Sequence, residues 1–367
     1  MVYNELKHIL KHFRYQGDYI HAEELQAGNI NATYRLSYTG DGKPVDYILQ
    51  RINTVAFHEP VELMNNVQRV IDHIAAAMER QGMDTDRRIL KFIPTDNGTL
   101  LYEDGKGGFW RSYVFVDHCT AHDSIEDPRD FYEAGRGFGE FQKYLFDFPA
   151  DQLVETIPGF HNTKKRFFDF VAAVAADKAG RAAALEEEID FFFERRKMMS
   201  RIVELIDAGE LPLRVTHNDT KLNNVLLDDE TGKALCVIDL DTVMPGSPLY
   251  DYGDAIRYGA NQAAEDEEEL EKIGLDMELF KAFTEGFVSE TAGALTDTEL
   301  RHLPLGVEVL TCELAMRFLT DYLNGDEYFK VKYLHHNLVR ARAQMQLLRD
   351  VEAKYDEMCA YVNSLVE

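Results

Sequence analysis

What this chain lacks narrows it first. Nowhere in its 367 residues does an apolar run reach the roughly 18 positions that a membrane-spanning helix needs. Its start is polar, with Lys7, Lys11 and Arg14 interspersed and no apolar core of a secretory signal, so a cytoplasmic protein is expected. The four cysteines, Cys119, Cys236, Cys312 and Cys359, stand singly and without metal-binding spacing. Three of them fall in apolar contexts, and reduced, buried thiols are expected. Basic residues are also short: 39 Lys and Arg against 65 Asp and Glu leave a formal charge of -26. Such a field repels phosphate backbones and anionic lipid, so neither nucleic acid nor a membrane surface is an expected partner. No Walker lysine loop is present, which removes the P-loop ATPases. What remains is an ordinary globular composition, 45% hydrophobic and 28% charged, long enough for one large core or two.

The pattern divides near 117. Up to there short β-type runs dominate. Those at 33–38 and 47–52 flank the turn signal Gly40-Asp41-Gly42, and further runs lie at 89–93, 99–102 and 109–116. Between them Leu63, Val67, Val70, Ile71, Ile74 and Met78 recur at helical steps. Beyond 117 helical patterns take over, at 131–146, 167–184, 185–206, 277–290, 308–324 and 337–366, with Gly209 a plausible C-cap. A short β-rich insert at 213–241 interrupts them. The expected architecture is α+β in two lobes, a small sheet-rich one with one main helix (1–117) and a larger helical one (118–367), joined near Phe115 to His118. Ligands commonly sit at such a joint.

The insert concentrates the chemistry. Thr216-His217-Asn218-Asp219-Thr220-Lys221-Leu222-Asn223-Asn224 reads His-x-Asp-x-Lys-x-x-Asn, and the apolar run 234–238 then delivers Asp239. A kinase fold lays out its base, phosphate lysine and metal ligands in this order. Asp219 is placed to orient an acceptor hydroxyl and take its proton, and Lys221 to meet a transferring phosphate. Asn224 can offer a carbonyl oxygen to Mg2+, which prefers oxygen ligands, and Asp239 would bridge metal and phosphates. Asp241 is either a second ligand or a structural acceptor. His217 is read as holding the loop, and Asp251 and Asp254 as acids that buttress it, with direct sugar or metal contact as the alternative.

The stretch from His217 to Asp241 resembles the aminoglycoside phosphotransferase and choline kinase group, which shares the protein-kinase-like fold. Within it the chain looks most like the N-acetylhexosamine 1-kinases. That closer likeness is carried by Gly28-Asn29-Ile30-Asn31-Ala32-Thr33-Tyr34, Tyr47-Ile48-Leu49-Gln50, residues 214–224, residues 238–247 and Met316-Arg317-Phe318-Leu319-Thr320-Asp321-Tyr322-Leu323. The resemblance implies an ATP- and Mg2+-dependent kinase for the anomeric hydroxyl of N-acetylglucosamine or N-acetylgalactosamine. It implies Asp219 as base, Lys221 as phosphate contact and Asn224 and Asp239 as metal ligands, with Arg317 in the sugar pocket beside Tyr328. Arg317 also stands out by itself: an arginine within Leu314-Ala315-Met316-Arg317-Phe318-Leu319 is costly to bury without a hydrogen-bonding task. Pairing with a structural acid such as Asp321, one turn on, is its alternative role.

The expected nucleotide contacts are Gly28, Asn31, Thr33, Gln50, Phe115 and Asp117. Two of these positions depart from the kinase pattern. The covering loop holds one glycine instead of three, and the third strand ends in Gln50 and Arg51 where a lysine is usual. No glutamate marks the middle of the helix after Pro60. Gly135-Arg136-Gly137-Phe138-Gly139 is read as close helix packing and not a dinucleotide loop, since no strand precedes it. His335 and His336 are read as surface or loop residues. The competing functions are a kinase for another small acceptor (choline, an aminoglycoside, homoserine) and an inactive nucleotide- or sugar-binding protein. Oligomeric state is not encoded legibly.

Overall fold

The computed structural model describes residues 2–25, 30–40, 42–125 and 127–367. Its N-terminal part contains α1 (Val2–Leu10), β1 (Asp18–Leu25), β2 (Ala32–Gly40), β3 (Lys43–Ile52), α2 (Pro60–Arg80), β4 (Tyr102–Glu103) and β5 (Phe109–Val114). After it come β6 (Cys119–Thr120), α3 (Pro128–Tyr144), α4 (Thr163–Ala176), α5 (Glu186–Asp207), β7 (Arg214–Thr216), β8 (Val225–Asp228), β9 (Ala234–Val237) and β10 (Met244–Gly246). The chain closes with α6 (Pro248–Gly259), α7 (Met277–Thr291), α8 (Asp297–Arg301), α9 (Leu303–Asn324) and α10 (His336–Val366).

The N-terminal strands form one antiparallel sheet in the order β1-β2-β3-β5-β4. The hairpin anticipated from the glycine turn is there, with Gly40 opposite Lys43 and Tyr34 opposite Leu49, while Asp41 of that turn lies outside the described residues. Alternation places Tyr34, Leu36 and Tyr38 of β2 with Tyr47 and Leu49 of β3 and Trp110 of β5, against Leu6, Ile9 and Leu10 of α1. Three expectations need correction. The strand β1 was not anticipated; it is an edge strand carrying only Tyr19, Ile20 and Leu25 among its larger apolar side chains, and most of its residues face solvent. The segment 89–93 makes no strand; it runs beside β5 through Ile93 N–H to Ser112 O (2.7 Å) and Val114 N–H to Lys91 O (2.9 Å). The strand expected at 99–102 is instead the short β4, shifted toward Glu103.

The apolar stripe of α2 is buried on both sides. Leu63, Val67, Val70 and Ile74 share a cluster with Ile52 of the sheet and with Phe141, Val215, Leu226, Leu240 and Val243 of the helical part. Buried Asn66 adds a polar fastening: its Nδ2 donates to Val154 O (2.8 Å) and Val243 O (3.1 Å), and its Oδ1 accepts from Val154 N–H (3.0 Å). The helix therefore ties the sheet to the segment that follows β9.

The helical part centres on α3, α6, α7, α9 and α10 around Phe131, Phe138, Tyr252, Phe283 and Phe287. Helices α3 and α7 cross with backbone in contact. A Cβ added to Gly135 would collide with the Phe283 carbonyl, and one added to Gly286 with the Tyr132 carbonyl. The glycine run in α3 is thus a packing device, as read. Helix α6 was missed, and His336, expected at the surface, is fully buried with Nε2 3.0 Å from Asp266. Cys236 and Cys312 are buried, whereas Cys119 and Cys359 are only partly so; all four are free thiols. No helix among the described residues is long and apolar enough to cross a membrane.

Candidate active site

The loop between β7 and β8 is fixed from below by α6. Asp251, buried in the first turn of that helix, accepts from the backbone N–H groups of His217 and Asn218 and from Gln142 Nε2, each at 2.8 Å. Its carbonyl accepts from Thr220 Oγ1 at 2.6 Å. Burial raises the Asp251 carboxyl above its ordinary value, and the donors from His217, Asn218 and Gln142 work against that rise. The buttress read from sequence is therefore Asp251. Asp254 does something else: it pairs with Arg257 at 2.8 Å, and faces His161 and Lys221 at longer range.

His217 joins the loop to the next strand end. Its Nδ1 accepts from Asp219 N–H at 3.3 Å, so Nε2 carries the proton directed at Ile238 O, 2.9 Å away. Phe138 and Phe141 wall the ring edge-on. Asn218 and Asp239 both take left-handed backbone conformations (φ 63° and 60°), which Asn and Asp tolerate better than other side chains with a Cβ. Thr242 Oγ1 donates to His217 O at 2.6 Å, and Asn218 Nδ2 donates to Thr242 O at 2.8 Å. Loop and strand end are thus stitched into one unit that presents Asp219, Lys221, Asn224 and Asp239 together.

Within that unit Lys221 Nζ lies 2.7 Å from Asp219 Oδ1. Burial pulls the Lys221 ammonium down, but Asp219, with Asp254 and Asp239 beyond it, more than offsets this and holds it above its usual range. Asn224 Nδ2 donates to Asp219 O (2.8 Å) and Oδ2 (3.0 Å), which leaves its carbonyl oxygen as the acceptor face. Asp239 follows β9 and opens to solvent on one side, beside Asp241 and Asp219. Its carboxyl is pushed up to about 6, first by burial and then by Asp241 and Asp219, with Arg111 and His217 opposing. Among the described residues no three or more His, Cys, Asp or Glu side chains converge as a preformed metal cage. A Mg2+ ion does not need one: it keeps waters and takes one or two protein oxygens plus substrate phosphates. Asn224 and the under-neutralised Asp239 suit that habit.

The two oxygens of Asp241 are engaged elsewhere. Oδ2 accepts from Asn31 Nδ2 at 2.6 Å, and Oδ1 forms an ion pair with Arg111 of β5. Of the other expected nucleotide contacts, Thr33 is buried and its hydroxyl accepts from Gln50 Nε2 at 3.2 Å. Phe115 lies beneath the Arg35 guanidinium at 4.3 Å. Asp117 presents its carbonyl to Arg87 (2.8 Å), and its largely exposed carboxylate lies 3.6 Å from the same guanidinium. Gly28 lies outside the described residues. Sequence reasoning missed Arg111, Asn53 (whose N–H donates to Asn31 Oδ1 at 2.9 Å) and Asn66. Their partners are remote in sequence, and no local signal marks them.

A second group extends from Asp254 toward α9. His161 Nδ1 is 3.0 Å from Glu313 Oε2, and its ring lies 4.8 Å from that of Tyr250. Fully buried Glu313 is also approached by Arg317 and Arg166, each at 3.9 Å. The Arg317 guanidinium lies 5.6 Å from the ring centres of Phe160 and Phe329 and 5.8 Å from that of Tyr328. It does not pair with Asp321, whose carboxylate instead accepts the N–H groups of Glu327, Tyr328 and Phe329. The Arg166 cation is disfavoured, first by burial and then by Arg317. Away from both groups, a small, partly open apolar pocket of about 40 Å³ lies between α2, α3 and β9, lined by Ile74, Met78, Leu90, Phe141, Cys236 and Leu240; no expected catalytic residue reaches it.

Comparison with known proteins agrees with this layout. Residues 21–282 match the model of the phosphotransferase enzyme family. A microcompartment-associated aminopropanol kinase superposes with a TM-score of 0.62 at 16% identity, covering 97% of this chain and 98% of its own. A Plasmodium vivax ethanolamine kinase gives 0.52 at 14% identity, covering 88% and 82%. The GDP complex of an aminoglycoside 2′-phosphotransferase gives 0.53 at 13%, covering 92% and 93%. A match over more than half of the chain, on a sheet-rich N-terminal part and a helical C-terminal part, places this protein in the phosphotransferase enzyme family with a protein-kinase-like fold.

Proposed function

We propose that the protein is an ATP- and Mg2+-dependent kinase for the anomeric hydroxyl of an N-acetylhexosamine, N-acetylglucosamine or N-acetylgalactosamine. Residues 1–117 cover the nucleotide, and residues 118–367 hold the catalytic loop, the metal ligands and the acceptor pocket. The observation that carries the acceptor reading is the state of the aromatic cluster. Phe160, Tyr328 and Phe329, which could cage a cationic acceptor, already surround the Arg317 guanidinium. Arg166 adds a second cation against the single Glu313 carboxylate. An ammonium acceptor meets repulsion there despite the acidic chain as a whole. A neutral acceptor rich in hydroxyl and carbonyl oxygens meets donors, and an acetamido oxygen is such a partner.

In this scheme Asp219 orients the anomeric hydroxyl and takes its proton as the oxygen–phosphorus bond forms and the bond from the γ-phosphorus to the β–γ bridging oxygen breaks. Lys221, 2.7 Å from the base, is placed to neutralise charge on the transferring group. Mg2+ held by Asn224 and Asp239 would supply charge neutralisation at the phosphates. The anomeric hydroxyl is the most acidic on the ring, so positioning matters more than base strength. The test is a panel of acceptors assayed with ATP and Mg2+: N-acetyl sugars should be turned over and choline, ethanolamine and aminoglycosides should not. Turnover of the cationic set alone rejects the acceptor reading. In the same assay Asp219→Asn should lower kcat by about 10³-fold with little change in melting temperature; retained activity rejects the base.

A further inference from the structure

Where a strand lysine is usual, β3 carries Gln50, but the fold brings a cation to the same place from the neighbouring strand. Gln50 is the register partner of Arg111. Gln50 Oε1 accepts from Arg111 Nε (3.0 Å) and Nη2 (2.8 Å), which leaves Nη1 to meet Asp241. Both members of that ion pair are almost fully buried, at 4% and 3% side-chain exposure. The linkage continues in both directions. Gln50 Nε2 donates to Thr33, and Asp241 accepts from Asn31, which in turn holds the Asn53 N–H. Arg111 of β5 and Asn31, just before β2, therefore meet at one carboxylate two residues from Asp239, and Gln50 of β3 and Thr33 of β2 are linked to it through Arg111. Helix α2 offers Arg111 no acid; it presents Met64, with Sδ 3.6 Å from Nη1.

We propose that Arg111 is a positioning residue that replaces the lysine–glutamate pair of protein kinases, holding the Asp239 segment in register with the phosphate-covering strands through Asp241. The inference rests on the kinase reading. A buried ion pair gains little net stability once desolvation is counted, so stability alone is a weak reason for one here. What it does supply is geometry. Arg111 bridges Gln50 and Asp241 with separate nitrogens of one rigid fork, a task a lysine cannot perform. Without it Asp241 is left as an unpaired buried carboxylate beside Asp239, and repulsion displaces the proposed metal ligand.

The test compares wild type, Arg111→Lys, Arg111→Met and the double variant Arg111→Met/Asp241→Leu. ADP affinity is measured by calorimetry with and without Mg2+, beside urea melts. In the wild type Mg2+ should tighten ADP binding. Arg111→Met should lose that Mg2+-dependent gain by about 30-fold or more, and Arg111→Lys should recover only part of it. The double variant leaves no orphan charge, so it should regain stability while Mg2+-dependent binding stays at least about tenfold weak. If the double variant regains both, or Arg111→Met binds ADP·Mg2+ as the wild type does, the pair is merely structural and the proposal fails alone. A wild type that binds no nucleotide overturns the kinase reading, and this inference with it.

Discussion

Asp239→Asn changes one charge and little else. The residue has a left-handed backbone (φ 60°, ψ 58°), which asparagine adopts as readily as aspartate, so backbone strain is not altered. The wild-type carboxyl is pushed up from 3.8 to about 6 by burial and by Asp241 and Asp219. A carboxyl raised in the folded state contributes stability below its ordinary value, and that contribution is lost as pH rises through about 6. Above pH 6 the ionised group therefore costs stability that asparagine does not. A displacement of this size corresponds at most to roughly 3 kcal/mol, and because the side chain opens to solvent the expected cost is nearer 1 kcal/mol. Urea melts without Mg2+ should show the variant more stable at pH 7.5 by about 1 kcal/mol, the gain shrinking below pH 6 and vanishing near pH 4. Activity should move the other way, with kcat/KM down by about 10³-fold. A variant no more stable than wild type at pH 7.5, or a gain that grows on acidification, refutes the electrostatic reasoning. Local destabilisation of this kind is a cost that active sites commonly carry.

Other outcomes are equally concrete. Gly286→Ala inserts a Cβ into the Tyr132 carbonyl where α3 and α7 cross. It should destabilise the fold by about 1–3 kcal/mol, seen as a lower urea midpoint with unchanged KM for substrate in the surviving native fraction. Asp266 is held down to about 2, first by its hydrogen bonds from Lys332 and His336. Its folded-state value lies below the ordinary one, so it contributes stability that is present above about pH 4 and lost as pH falls toward 2. Asp266→Asn should accordingly melt lower than wild type at pH 7, the two curves converging near pH 2; a difference that persists there assigns its effect to packing.

The loop 216–224 was legible because its chemistry is local. Asp219, Lys221 and Asn224 lie within six consecutive residues, and Asp239 follows an apolar run that reads as a strand. The large helices were legible for the same reason, since the periodicity of α2 or the αL glycine after α5 is written in neighbouring residues. What was not legible depends on distance. Arg111 meets Gln50 from 61 positions away, and Asn31 meets Asp241 from 210, pairings that exist only once β3 lies beside β5 and the sheet lies over the cleft. Edge strand β1 escaped because an exposed strand need not alternate apolar and polar residues. Helix α6 escaped because nearly all of it is buried, so no amphipathic stripe marks it. His336 looked like surface from its type, and only the fold buries it and supplies Asp266 as its partner.

Phosphorus and proton NMR of the product formed from ATP, Mg2+ and N-acetylglucosamine or N-acetylgalactosamine decides the proposed chemistry. Phosphate carried on the anomeric carbon, with the coupling visible on the H1 resonance, is the expected result. Phosphate on any other ring oxygen, or product formed only with cationic alcohols, contradicts an acceptor pocket organised around Arg317.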